Sequence, residues 1–241
     1  MTRLNSYGQV IGDAVPNWDP RPLPEKVTLE GTHCRLEPLD FEKHAKQLYA
    51  SYSSAEDDRS WTYVPIGPFS DFSDYAKVAI TFASSTTVSH YAIVHSGTGH
   101  AIGTLALMNC DPSNGSVEIG YVLFSPKLQR TMASTEAVYL MIKYVFDTLG
   151  YRRCEWKCDS LNIPSHRAAE RYGFKAEGTF RNAVIYKGRS RDTQWHSITD
   201  YEWPIVSRAF EEWLSEKNHS NGQQKDKLAD IRSRLESETA R

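Results

Sequence analysis

The sequence is short of cysteine: four in 241 residues, too few for a disulfide framework. It also lacks an excess of charge of either sign. Twenty-eight Lys and Arg against 30 Asp and Glu leave a formal −2, which supplies no field to gather a polyanion, so nucleic acid is not an expected partner. No apolar run approaches the ~18 residues of a membrane helix, so no membrane partner is expected either. The opening MTRLNSYGQVIGDAV has neither a basic start nor an apolar stretch, and a secretory signal is not expected. There is no P-loop or GxGxxG to cradle a nucleotide, and no HExxH among the eight His. Cys154 and Cys158 lie four apart on one strand face, without the closer spacing and further ligands that zinc wants, so no metal is expected. What remains is ordinary soluble composition, 40% apolar and 24% charged, in a chain long enough to bury a full core. The expectation is a cytoplasmic protein.

Patterning divides the chain. Residues 1–26 form a polar lead-in with Pro16, Pro20, Pro22 and Pro24, expected to run extended over a surface with Trp18 as an anchor, or to hang as a loose tail. VTLEGTHCRLEPL reads as two short strands around Gly31. Asp40 is placed to cap a helix carrying Phe41, Ala45, Leu48, Tyr49 and Tyr52 at helical spacing. After the aromatic loop WTYVPIGPF, a second helix is expected over 71–84. HYAIVHS, AIGTLALMNC and SVEIGYVLF read as strands joined by Gly- and Asn-Gly turns. SPKLQRTMAS then leads into a helix over 133–149. RRCEWKCDS is a strand, NIPSHRAAERYGF a short helix stopped by Gly173, and GTFRNAVIYKG and DTQWHSITDYEW two more strands. The polar end carries a weak helical stripe of Leu228, Ile231 and Leu235, so 206–241 is expected to be a helical or flexible extension. Lys187–Arg191 reads as a solvated basic hairpin tip.

The chemistry concentrates at the strand–SPKLQRTMAS–helix junction. A helix start presents unpaired N–H groups and the positive dipole end, a natural phosphate site, and Lys127 and Arg130 add positive charge. Gln129, Arg130, Thr131, Met132, Ala133 and Ser134 follow Pro126 much as in the pyrophosphate loop Gln/Arg-x-x-Gly-x-Gly/Ala, with Met132 in place of the first Gly. Asn162-Ile-Pro-Ser165, then Gly173-Phe174, and the closing Glu202-Trp203 follow in order. On these motifs the chain resembles the GCN5-related N-acetyltransferase superfamily, especially its ribosomal-protein-acetyltransferase-like branch, over about residues 27–205. The resemblance implies an α/β (α+β) fold: a twisted mixed sheet of six to seven strands flanked by helices. It also implies that two central parallel strands, here SVEIGYVLF and RRCEWKCDS, splay apart around the thioester of acetyl-CoA.

The same resemblance implies roles. The segment 129–134 would hold the pyrophosphate, and Asn162 and the backbone at Phe124 the pantetheine, although Asn162 also suits a helix cap. Ser165 is a further cofactor contact. Trp61, Tyr63 and Phe69 would wall an acceptor site or simply pack the core. Glu118 is the first choice for the base that deprotonates an amine, its apolar strand neighbours being expected to raise its pKa, with a plain solvent-facing strand Glu as the other reading. The family's usual acidic Tyr, seven residues after the Asn, is replaced by Ala169, and Tyr172 is expected to face elsewhere. Water, Ser165 or His196 are the remaining acid or base candidates, with a structural role also open to His196. The implied activity is acetyl transfer from acetyl-CoA to a primary amine, of a small molecule or a peptide N-terminus, by direct attack in a ternary complex. The alternative is a non-catalytic acyl-CoA-binding or regulatory protein. Oligomeric state is not legible, a homodimer being one option.

Overall fold

The computed structural model describes residues 3–220 and 223–239. The lead-in opens with a small antiparallel pair, β1 (Arg3–Leu4) and β2 (Val10–Ile11). Beyond it the chain is pinned rather than loose. Trp18 donates its Nε1–H to the Ser113 carbonyl at 2.7 Å and stacks under Arg21. Tyr151 and Tyr91 donate their hydroxyls to the carbonyls of Pro22 and Glu25, each at 3.0 Å.

The following segments supply β3 (Leu29–Glu30), β4 (Cys34–Pro38), α1 (Phe41–Tyr52), α2 (Phe72–Ala83), β5 (Ser89–His95), β6 (Ala101–Asp111), β7 (Ser116–Phe124), α3 (Met132–Lys143), β8 (Arg153–Asp159), α4 (Ile163–Tyr172), β9 (Lys175–Tyr186) and β10 (Arg189–Thr199). One eight-stranded mixed sheet orders them β3-β4-β5-β6-β7-β8-β10-β9. It exceeds the expected six to seven strands because both short segments around Gly31 pair. Only β7 and β8 run parallel; the other neighbours are antiparallel. Asp40 caps α1 by accepting from the Lys43 amide at 2.8 Å. Helices α1 and α2 cover one sheet face, around Leu48, Tyr75, Ala79 and Val94. On the other face α3 is buried on nearly every side, between Leu105, Val117 and Ile119 of the sheet and the helices that follow. Its one buried acid, Glu136, accepts from the amides of Thr32, His33 and Cys34 at 2.9, 2.6 and 2.8 Å, which fixes α3 to the β3–β4 turn. A Cβ on Gly31 would meet that carboxyl carbon at 2.6 Å.

The chain end departs from expectation. The strand read through Trp203 stops at Thr199, and α5 (Trp203–Leu214) runs straight across residue 206. Trp203, Val206, Phe210 and Trp213 repeat at helical spacing and are buried in the main core. The Glu-Trp pair, assigned to a strand by resemblance, is a helix start with Pro204 in its first turn, where a missing N–H costs nothing. A short pair, β11 (His219–Ser220) and β12 (Gln223–Gln224), precedes α6 (Leu228–Thr239), which buries Leu228, Ile231 and Leu235. The basic turn is exposed, as expected of a hairpin tip, and it also touches the aromatic loop: Lys187 donates to the Trp61 carbonyl at 2.8 Å. Among the described residues no helix is long and apolar enough to cross a membrane.

His90 offers a stability test. It is 4% exposed, stacks on Phe82 at 3.9 Å, and its Nδ1 has no partner. Burial, with the Lys26 charge adding, pushes its pKa down to about 4. The unfolded chain therefore takes up a proton near pH 6.5 that the fold refuses, and stability falls as pH drops from about 6.5 to 4. We expect His90→Phe, which keeps the stack, to remove about 2–3 kcal/mol of that acid loss, read as the difference between wild-type and variant urea unfolding at pH 7 and pH 4.5.

Candidate active site

The parallel pairing of β7 and β8 runs Ser116↔Arg153, Val117↔Cys154, Glu118↔Glu155 and Ile119↔Trp156, and then stops. Residues 120–124 and 157–159 continue as strands but no longer bond to each other. The local cause is a bulge in β7. Thr104 faces Leu123 while Ala106 faces Gly120, so Leu105 opposes both Tyr121 and Val122, and Tyr121 takes φ 48°. A bulge bends and twists its strand, and here it accompanies the opening of β7 from β8.

A cleft of 1340 Å³ lies at the opening. Its floor is Val122, Leu123, Phe124 and Trp156; one wall is the loop into α3, another is α4, and the far end is built from Trp213, His219, Gln223 and Gln224. The 59–64 segment closes the opposite end. The loop into α3 turns through Arg130 at φ 61° and ends at Thr131, whose hydroxyl accepts from the Ser134 amide at 3.2 Å. Met132 and Ala133 are the first two residues of the helix, and their N–H groups lie beyond the reach of any i−4 carbonyl. The side chain of Gln129 is already engaged, donating to the Phe124 carbonyl at 2.9 Å. Asn162 caps α4, its Oδ1 accepting from the Ser165 amide at 3.3 Å. Ser165 Oγ in turn accepts from Trp156 Nε1 at 3.0 Å.

Of the residues singled out from sequence, Trp61, Tyr63, Phe124, Gln129, Arg130, Thr131, Met132, Ser134, Asn162 and Ser165 line this cleft. Four do not. Phe69 packs edge-on to Trp61 and Tyr75, behind the wall. Ala133 turns its side chain into the core and is 3% exposed, leaving only its backbone to act. His196 is fully buried; its Nδ1 lies 3.2 Å from the Trp156 carbonyl and its Nε2 2.7 Å from His166 Nδ1. Burial pushes the His196 pKa down, consistent with a neutral ring that pins β8, β10 and α4 together. Glu118 is buried at the foot of the opening, but not among the apolar neighbours expected. Lys157 Nζ lies 2.9 Å from its Oε2, and Asn109 Nδ2 donates to the same oxygen at 2.8 Å. Val117 and Ile119 belong to the core beneath α3, so by strand alternation Glu118 faces the other side of the sheet, the side covered by α1 and α2.

Sequence reading missed Arg171, Trp213, His219, Gln223 and Gln224, and it misplaced Tyr172. Ten residues of helix turn through about 1000°, which leaves Tyr172 only ~80° from Asn162, and it lines the cleft beside Trp156, with ring centroids 6.0 Å apart. Burial pushes its phenol pKa up. Among the described residues no group of three or more His, Cys, Asp or Glu is arranged to hold a metal.

Residues 33–175 match a family described as an acetyltransferase (GNAT) domain. The uncharacterized N-acetyltransferase p20 of Bacillus licheniformis is 31% identical over 144 residues, covering 58% of this chain and 80% of that protein. Among solved structures, a GCN5-related N-acetyltransferase from Brucella melitensis is 42% identical with a TM-score of 0.89, over 91% of this chain and 100% of that one. Mycobacterium smegmatis RimJ, solved in complex with CoA-disulfide, shares the fold at 18% identity and a TM-score of 0.58, over 71% of this chain and 84% of that chain.

Proposed function

Since the chain belongs to the GNAT acetyltransferase family, we propose that it transfers an acetyl group from acetyl-CoA to a primary amine, of a small molecule or of a peptide or protein. The observation that carries this reading is the end of β7–β8 pairing at Ile119 and Trp156, opening onto a cleft that also receives the start of α3. Acetyl-CoA supplies an activated acyl group, and the residues present suit it. The amides of Met132 and Ala133 offer donors at the positive end of a helix dipole to the diphosphate. The polar atoms of the opened β7 and β8 backbones, no longer spent on each other, are available to the pantetheine amides and to the thioester oxygen, where negative charge develops. Asn162 and Ser165 flank the same path.

The acceptor is proposed to enter from the opposite sheet face, past Trp61 and Tyr63. A new C–N bond forms as the C–S bond breaks. The ammonium proton goes to Glu118, directly or through a water, and the leaving sulfur takes a proton from the Ser165 or Tyr172 hydroxyl. A cytoplasmic location, where acetyl-CoA is available, belongs to the same proposal. The test is release of free CoA thiol from acetyl-CoA with a panel of alkyl amines, polyamines and peptide N-termini, beside thermal melts with CoA. An upward melting shift and amine-dependent thiol release are expected. A shift without thiol release across the panel would favour a binding or regulatory protein, and no shift would refute the acetyl-CoA reading.

Asn162→Ala separates two roles of one side chain. Loss of the cap costs about 0.5–2 kcal/mol of stability, measured by urea unfolding. The KM for acetyl-CoA is expected to rise as well. An unchanged KM would leave Asn162 as a cap alone.

A further inference from the structure

The far end of the cleft is built from the segment beyond the matched family domain, and its chemistry is one-sided. Arg171, on the last turn of α4, donates from Nη1 to Thr135 Oγ1 at 3.1 Å. Its guanidinium carbon lies 4.9 Å from the Trp213 ring and 5.4 Å from the Tyr172 ring. Among the described residues no carboxylate forms an ion pair with it. The contrast with its neighbour Arg232 is instructive: that guanidinium is spent on the Arg171 and Glu170 carbonyls, at 3.0 and 3.1 Å, closing the end of α4. Arg171 is held in place yet keeps most of its N–H donors unspent, on the wall of the cleft.

The hairpin opposite adds groups of the same kind. Gln224 accepts from Trp213 Nε1 through its Oε1 at 2.7 Å, which leaves its amide N–H₂ as the free end. His219 Nδ1 lies 3.2 Å from the Ser215 carbonyl, which sets Nδ1 as donor and leaves Nε2 for other partners. His219 and Gln224 both line the cleft. A half-buried guanidinium stacked on two rings, faced by an amide and an imidazole, with no carboxylate, suits a phosphate dianion. Its position fits a second phosphate rather than the first. Thr135 lies three residues beyond Met132, about 4.5 Å along α3 from the amides assigned to a diphosphate. Coenzyme A carries two such groups, a diphosphate and a 3′-phosphate monoester on its ribose.

We infer that Arg171, with His219 and Gln224 of the β11–β12 hairpin, receives the 3′-phosphate of coenzyme A, so that the C-terminal segment makes the cleft select CoA over dephospho-CoA. This rests on the acetyl-CoA reading above. A phosphomonoester carries close to two negative charges at pH 7, whereas the dephospho form presents a neutral hydroxyl there.

The experiment is calorimetric titration of the full chain with CoA and with dephospho-CoA, for the wild type, Arg171→Gln, His219→Ala and Gln224→Ala, with melting curves to check folding. The wild type is expected to bind CoA at least about tenfold more tightly than dephospho-CoA, the scale of one or two charge-assisted hydrogen bonds. Arg171→Gln should bring that ratio close to one while dephospho-CoA affinity is kept; His219→Ala and Gln224→Ala should each narrow it. A wild-type ratio near one overturns the inference, as does a ratio that survives Arg171→Gln. Should Arg171→Gln fail to fold, the hairpin variants decide, and a ratio unchanged in both overturns it. If neither ligand binds the wild type, it is the acetyl-CoA reading that fails.

Discussion

Glu118→Gln is expected to lower kcat/KM for acetyl transfer by about 10²–10⁴-fold at neutral pH, the usual worth of a positioned general base, while acetyl-CoA affinity holds within about twofold. The change keeps the shape and the oxygen that faces Asn109. Its structural cost is limited by the neighbourhood. Lys157 also pairs with Glu155 at 2.8 Å, and its ammonium sits 3.7 Å over the Trp195 ring, so the substitution leaves no orphaned cation. That matters because removing one partner of an isolated buried pair costs about 3–5 kcal/mol. Near-normal activity would take the base role from Glu118. Lost acetyl-CoA binding, or a large drop in melting temperature, would make Glu118 a structural residue of the opening.

The second large effect is expected from Met132→Pro. Met132 is the first residue of α3, a position where proline is well tolerated because its amide has no helical partner. Thr131 before it sits at φ −102°, ψ 166°, the extended region that a residue preceding proline prefers. The substitution therefore deletes one N–H aimed out of the helix start and little else. Acetyl-CoA affinity should fall about tenfold or more, the worth of one hydrogen bond to a charged group, with stability kept within about 1 kcal/mol because only half-buried side-chain atoms are lost. Titration calorimetry and urea unfolding check the two halves. Unchanged affinity would move the diphosphate away from this helix.

Much of this architecture is legible in the residues. Asp40 announced a helix because its carboxylate can serve an orphan amide, and it does. Asn162 and Gly173 bracketed α4 for the same reasons of capping and φ freedom; Gly173 stands at φ 103°. The splayed pair was implied by motif order, and the register shows it opening after Ile119. What the residues hid was non-local. Glu118 lay between apolar neighbours along the strand, but its environment is set across the sheet by Lys157 and Asn109. His196 had the chemistry of a base, and only the fold shows it buried against His166. Helix α5 was concealed by assigning Glu202 and Trp203 to a strand, although Trp203, Val206, Phe210 and Trp213 carry the helical period. Arg171 had no local signal at all: its role depends on Trp213 and a hairpin about fifty residues later in the sequence.

The most direct test of the whole account is a crystal structure of the full chain with CoA. It should show diphosphate oxygens within hydrogen-bond distance of the Met132 and Ala133 amides, and the pantetheine lying between residues 120–124 of β7 and 157–159 of β8. CoA bound outside the cleft, or β7 and β8 paired through residues 120–124 in the complex, would contradict it.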